Sequence, residues 1–229
     1  MAQGESQRKT QEKQPDSAPL LPVVPRASQR SSLVIATCRE FYHVEQRCAR
    51  SVDDAALCSL LQHLLGTKVE AIPWDGEHYD WTQTQAVVLR STYYYHLRPR
   101  QFLAWAQQMA RQTTLLNPLE VIRWNLEKAH YLRALESHGI PIIPTLVLTP
   151  EEPWDLVHVL EEQGWQQAVL KPSIGANSYA TRLVDARDTQ ALRHVQATLP
   201  AEAVGQTFLL QPYVEEVATR GEINYVFAG

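Results

Sequence analysis

The chain has 229 residues, 45% of them hydrophobic and 20% charged, with a formal net charge of −4 and a pI near 6.1. This composition is ordinary for a globular protein that buries one large core or two small ones. It lacks the basic excess that nucleic-acid binding demands, and no apolar stretch is long enough to span a bilayer.

Residues 1–30 are rich in Gln, Ser, Pro and charge and lack the apolar segment of a secretory signal. They read as a disordered tail on a cytoplasmic protein. The β-branched run Ser32-Leu33-Val34-Ile35-Ala36-Thr37 is the first expected strand. Cys38, Cys48 and Cys58 form no C-x-x-C pair, and no histidines stand in H-x-x-x-H. Neither a disulfide framework nor a zinc site is expected, and the thiols read as reduced and at least half-buried. Over 53–65, Leu57, Leu60, Leu61, Leu64 and Leu65 recur at helical spacing, with acids at the start and Gly66 at the stop. Residues 68–74 and 86–90 are the next strands. Residues 99–111 form a second helix carrying Phe102, Leu103, Trp105, Ala106 and Met109, and Leu115-Leu116 is a short strand. Strands alternating with helices imply βαβ units and a mostly parallel sheet in a first domain over 31–117. The turn after the first strand, Thr37-Cys38-Arg39-Glu40-Phe41-Tyr42, has no glycine, which argues against a nicotinamide site. The absence of G-x-x-x-x-G-K-[ST] argues against a P-loop kinase.

After Pro118 the rhythm changes, and 118–229 is read as a second domain. Residues 119–138 are a long helical pattern broken near Asn125. Residues 140–148 form a strand whose prolines suit a sheet edge. A helix over 154–163 is capped by Gly164, 188–199 is helical, and 207–211 and 222–228 are the last strands. The six tryptophans read as packing residues, and no internal repeat is present.

The chemistry concentrates at Lys171. It ends the apolar run Ala168-Val169-Leu170 and opens Pro172-Ser173-Ile174-Gly175-Ala176-Asn177-Ser178, after which Tyr179-Ala180-Thr181-Arg182-Leu183-Val184 resumes β character. A cation at a strand end, followed by a turn small enough for backbone N–H groups to approach phosphate oxygens, suits an anion. Lys128 lies on an amphipathic helix, where a solvated lysine is the plain alternative. Arg90 reads either as a strand-end charge or as a substrate contact.

Five segments occur in order: Asn125-Leu126-Glu127-Lys128, Gly139-Ile140-Pro141-Ile142-Ile143-Pro144-Thr145, Val169 to Ser178, Leu210-Gln211-Pro212-Tyr213-Val214-Glu215-Glu216, and Gly221-Glu222-Ile223. Together they resemble the ATP-grasp superfamily, which includes glutathione synthetase and D-alanine–D-alanine ligase. Arg90-Ser91-Thr92-Tyr93-Tyr94-Tyr95-His96-Leu97-Arg98-Pro99 is similar to a glutathione-synthetase-like subgroup that includes a ligase of cycloserine biosynthesis. The resemblance covers about 33–229. It implies an α/β protein: a Rossmann-like (pre-ATP-grasp) domain, then an α+β ATP-grasp domain. It also implies an ATP-dependent carboxylate–amine ligase, in which ATP phosphorylates a substrate carboxylate and an amine attacks the acyl phosphate. On this resemblance Lys128 and Lys171 reach the nucleotide phosphates. Ser173, Gly175, Ala176, Asn177 and Ser178 form the loop that closes over them. Gln211, Pro212, Tyr213 and Val214 present backbone to adenine, and Glu222 takes the ribose hydroxyls. Arg90 and Ser91 are candidate substrate contacts, and the partners expected are a small-molecule acid and amine. The family holds Mg²⁺ on an acid and a Glu-x-Asn pair that follow the ribose glutamate, and the sequence ends at Gly229 before any of them. The expectation is therefore an ATP-grasp domain incomplete at its C-terminus. Such a chain is inactive alone and either complemented by another fragment or oligomer, or left as a nucleotide-binding module.

Overall fold

The computed structural model describes residues 32–43, 48–49, 52–76, 79–221 and 223. The expected tail over 1–30 lies outside the described residues, as does the expected last strand apart from Ile223. The fold is mixed α/β, with one parallel and one antiparallel four-stranded sheet.

The first sheet grows from β1 (Ser32–Thr37), whose Val34, Ile35 and Ala36 are wholly buried. A strand covered on both faces needs such a continuous apolar run. A short antiparallel pair that the sequence does not announce, β2 (Tyr42–His43) with β3 (Cys48–Ala49), leads to α1 (Val52–Leu65). Strands β4 (Lys68–Pro73) and β5 (Thr84–Leu89) flank β1 in parallel. Helix α2 (Pro99–Gln112) then returns the chain to β6 (Thr114–Leu116), giving the order β4-β1-β5-β6. Pro99 opens α2, where its fixed φ and missing N–H are harmless. Phe102, Trp105, Ala106 and Met109 follow at i, i+3, i+4 and i+7, and all four are buried. Trp74, just past β4, meets Phe102 edge-on at 5.1 Å.

Helix α1 forms where its spacing predicts, but Leu60, Leu64 and Leu65 are exposed, and Asp54 is its fully buried residue. The hydroxyl of Ser91 donates to Asp54 Oδ1 at 2.9 Å, tying the start of α1 to the exit of β5. Nearby, the buried carboxylate of Asp75 accepts from the Arg39 backbone N–H at 2.9 Å and from the Arg98 guanidinium at 2.5 Å. The carboxyl ends of β1, β4 and β5 are thus stapled together by polar side chains. Cys38 is buried and Cys58 half-buried.

Helices α3 (Leu119–Leu126) and α4 (Lys128–Ser137) confirm one long pattern with a break. Glu127 adopts an extended backbone between them. The expected strand over 140–148 shrinks to β7 (Leu146–Leu148). Pro141 and Pro144 lack N–H groups, so the residues before β7 cannot keep a ladder. Asp155 caps α5 (Leu156–Gln163), and Gly164 ends it in the left-handed conformation at φ 66°. Strands β8 (Gln167–Pro172) and β9 (Arg182–Asp185) pair antiparallel around the Lys171 turn. The helix expected over 188–199 is only α6 (Thr189–His194), followed by a 3₁₀ turn. There the Thr198 hydroxyl donates to the Val195 carbonyl at 2.9 Å, a local bond that competes with helix continuation. Strand β10 (Phe208–Pro212) completes the sheet in the order β7-β10-β8-β9, which makes β7 an edge as its prolines imply. Helix α7 (Glu215–Arg220) follows. Helices α5 and α6 bury Leu156, Leu160 and Leu192 on one sheet face against Ala168, Leu170, Phe208 and Leu210. The opposite face is left for the cleft.

Candidate functional site

Period-two alternation builds the cleft wall. Along β8, Ala168 and Leu170 point into the core, so Val169 and Lys171 face the other way. Antiparallel register sets Gln211 of β10 opposite Val169. These three residues form the floor of a cleft of about 500 Å³. Its walls are Lys128, Ile143, the 175–179 turn, Thr181 and the hinge 212–214, with Val217 of α7 at the rim. The amide of Gln211 donates to the Thr145 hydroxyl at 2.7 Å, and that hydroxyl donates to the Ile143 carbonyl at 2.7 Å. This relay holds an irregular segment against the cleft.

Lys128 and Lys171 share the same cleft. Lys128 begins α4, and its ammonium donates to the Gly175 carbonyl at 2.7 Å and, more weakly, to the Ser173 carbonyl at 3.4 Å. Burial lowers the Lys128 pKa, and the field of Lys171 lowers it further. A cation at the positive end of a helix, half-buried beside another cation, is disfavoured while the cleft is empty. An anion between the two ammonium groups reverses that balance. Gly175 carries no side chain for a steric reason: a Cβ there would stand 3.0 Å from Pro172 Cγ and 3.9 Å from the Lys128 ammonium.

The sequence candidates separate into three groups. Lys128, Lys171, Gly175, Ala176, Asn177, Ser178, Gln211, Pro212, Tyr213 and Val214 all line this cleft. Ser173 does not. It is buried, its Oγ accepts from the Ala129 N–H at 3.1 Å, and its carbonyl accepts from the Lys128 N–H at 2.9 Å. It caps α4 and anchors the loop, so its hydroxyl is occupied. Arg90 and Ser91 lie at the carboxyl end of the parallel sheet, outside the cleft. Arg90 is exposed and Ser91 is engaged with Asp54. Glu222 lies outside the described residues. At the hinge, the Tyr213 N–H donates to the Gln167 carbonyl at 3.0 Å, so that donor is already engaged.

Sequence reasoning missed Ile143, Val169, Tyr179, Thr181 and Val217 as lining residues. For Val217 a signal was present: Glu215-Glu216 in a first turn, Arg220 in the last and Gly221 after it mark a short helix. The Mg²⁺ that the resemblance implies finds no fit among the described residues, which contain no group of three or more His, Cys, Asp or Glu able to hold a metal.

Residues 33–117 match the family described as D-cycloserine synthetase DcsG, N-terminal domain. The cycloserine biosynthesis protein DcsG of Streptomyces lavendulae is 34% identical over 169 residues, covering 71% of this chain and 54% of that protein. The chain thus spans about half the length of the curated relative it matches. The crystal structure of D-cycloserine synthetase DcsG superimposes with a TM-score of 0.70 at 28% identity, over 83% of this chain and 62% of that one. A RimK domain protein ATP-grasp from Sphaerobacter thermophilus shares the fold at 18% identity and a TM-score of 0.54, over 80% of this chain and 64% of that one. These likenesses give the chain an ATP-grasp fold, with a cleft between two lysines and an antiparallel sheet, and make residues 33–117 similar to the N-terminal domain of D-cycloserine synthetase.

Proposed function

We propose that this chain is the ATP-binding portion of a carboxylate–amine ligase, working through an acyl phosphate to form an amide. The observation that carries this reading is the shared cleft of Lys128 and Lys171 beneath the 175–178 turn. The triphosphate lies between the two ammonium groups, and small residues at 175, 176 and 178 let backbone N–H groups approach its oxygens. Adenine sits between Ile143, Val169 and Val217, with its edge toward the Pro212 carbonyl and the Val214 N–H, and Glu222 takes the ribose. The carboxylate substrate enters from the carboxyl end of the parallel sheet, where ligands of open α/β sheets bind, near Arg90 and Ser91. Electrostatic neutralisation of triphosphate and carboxylate is the main work of such a site. The cofactor is ATP, the setting is the cytoplasm, and the partners are a small acid and a small amine. Residues 31–117 act as the pre-ATP-grasp domain and 118–229 as the ATP-grasp domain.

A second reading, a nucleotide-binding module without turnover, draws support from the lack of a metal-holding group among the described residues. Calorimetric titration with ATP tests the shared part. The wild type binds, and Lys171→Ala weakens binding by about 1–3 kcal/mol, the range of charge-assisted hydrogen bonds. Equal affinity in the two proteins contradicts the site. Sustained ADP release from Mg-ATP with a carboxylate and an amine supports the ligase, and binding without release supports the module.

A further inference from the structure

The nucleotide reading leaves one buried ionisable group without a task. His96, only 3% exposed, sits in the 3₁₀ turn that follows Arg90 to Tyr94, and its Nδ1 meets no hydrogen-bond partner. Tyr94 and Tyr95 flank the ring from its own segment, with centroids 6.4 and 5.9 Å away. From the β8–β9 connection, Tyr179 lies at 5.0 Å. Tyr179 also lines the nucleotide cleft, so its two faces join two halves of the molecule. Lys128 of α4 is the charged group whose field reaches the imidazole; burial lowers the His96 pKa and Lys128 lowers it further. Phe102 of α2, behind Tyr95, brings no charge. A buried nitrogen without a partner costs about 1–3 kcal/mol, and such groups call for an explanation.

Backbone strain points independently to the same place. Among the described residues, the non-glycine positions with positive φ are Tyr94 at 61°, Asn177 at 51°, Ser178 at 56° and Ala180 at 52°. Such conformations cost on the order of 1–3 kcal/mol each and persist where their surroundings over-determine them. All four belong to the two segments that meet at His96 and Tyr179, one beside the histidine and three around the tyrosine.

We propose that His96 is a positioning residue for the nucleotide loop: it seats Tyr179, holds the 175–181 turn over the two lysines, and takes up a proton when polyphosphate enters beside Lys128. This rests on the nucleotide reading above. In the empty cleft the positive field of Lys128 disfavours an imidazolium. Phosphate oxygens cancel that field and add their own, so a proton from solvent settles on the open nitrogen, and no covalent bond changes. Because Tyr179 docks on the turn that follows Arg90 and Ser91, nucleotide binding and the expected entrance for the carboxylate share one contact.

The test uses the full chain and AMP-PNP, a non-hydrolysable ATP analogue. Calorimetry in buffers of different ionisation enthalpy reports proton uptake, and histidine NMR signals report the titration of His96 with and without the analogue. In the wild type, AMP-PNP moves the His96 titration to higher pH and binding takes up a proton. His96→Phe keeps a ring against Tyr179 but loses that uptake. It binds about fivefold or more weakly, a coupling of ordinary size, and the deficit widens as pH falls from about 8 to about 6, through the usual histidine range. Unchanged proton uptake and affinity in His96→Phe overturn the proposal. So does a His96 titration that AMP-PNP leaves unmoved in the wild type, a result readable even if the variant does not fold. Failure of the wild type to bind AMP-PNP at all overturns the nucleotide reading itself, and this inference with it.

Discussion

At Lys128, burial and the neighbouring Lys171 both favour the neutral amine, while an anion in the cleft favours the ammonium. The sign of the pH dependence follows. The depressed pKa means that the folded, empty protein releases this proton before an ordinary lysine would, so fold stability rises with pH between the depressed and the ordinary value. Nucleotide binding runs the opposite way, because it needs the charged form. ATP affinity should fall as pH rises, beginning below the ordinary lysine range, and Lys128→Met should flatten that fall while binding at least about tenfold more weakly, as loss of one charge-assisted contact predicts. Titration of both proteins across alkaline pH checks this; parallel profiles would remove Lys128 from the site.

At the scale of elements, burial separates what stabilises from what binds. Helix α2 carries a fully buried Met109 on the stripe that packs the first core. Met109→Ala should cost about 2–5 kcal/mol by chemical denaturation, the range for truncating a buried Met. A cost near zero would mean that α2 does not pack as described. Strand β8 divides its duties by alternation, with Leu170 in the core and Lys171 in the cleft. The terminal lysine was legible beforehand, but Ala168-Val169-Leu170 is a continuous apolar run, so which of its residues face the cleft was not. The break at Glu127 and the edge position of β7 were legible, one from an interrupted helical pattern and the other from prolines. The role of Ser173 was not. A serine in a small-residue turn looks the same whether its hydroxyl meets a phosphate or, as here, caps a helix that begins 45 residues earlier. Tyr179 was also hidden, since a tyrosine opening a strand carries no mark of the cleft it borders.

Across the whole molecule, two sheets with separate cores meet along a line that runs through His96, Tyr179 and Ile174. Alternating strands and helices made the parallel sheet readable, because crossover chirality and strand burial leave few arrangements. The exposed leucines of α1 show the limit of such reading: periodicity predicts a helix but not what covers its apolar face. The cleft was legible only as a set of motifs in order, and their convergence is a tertiary fact. The most direct measurement is a crystal structure of the chain with AMP-PNP bound. The account predicts the phosphates between the side-chain nitrogens of Lys128 and Lys171 and the adenine against residues 212–214; a nucleotide bound elsewhere, with either lysine far from its phosphates, would contradict it.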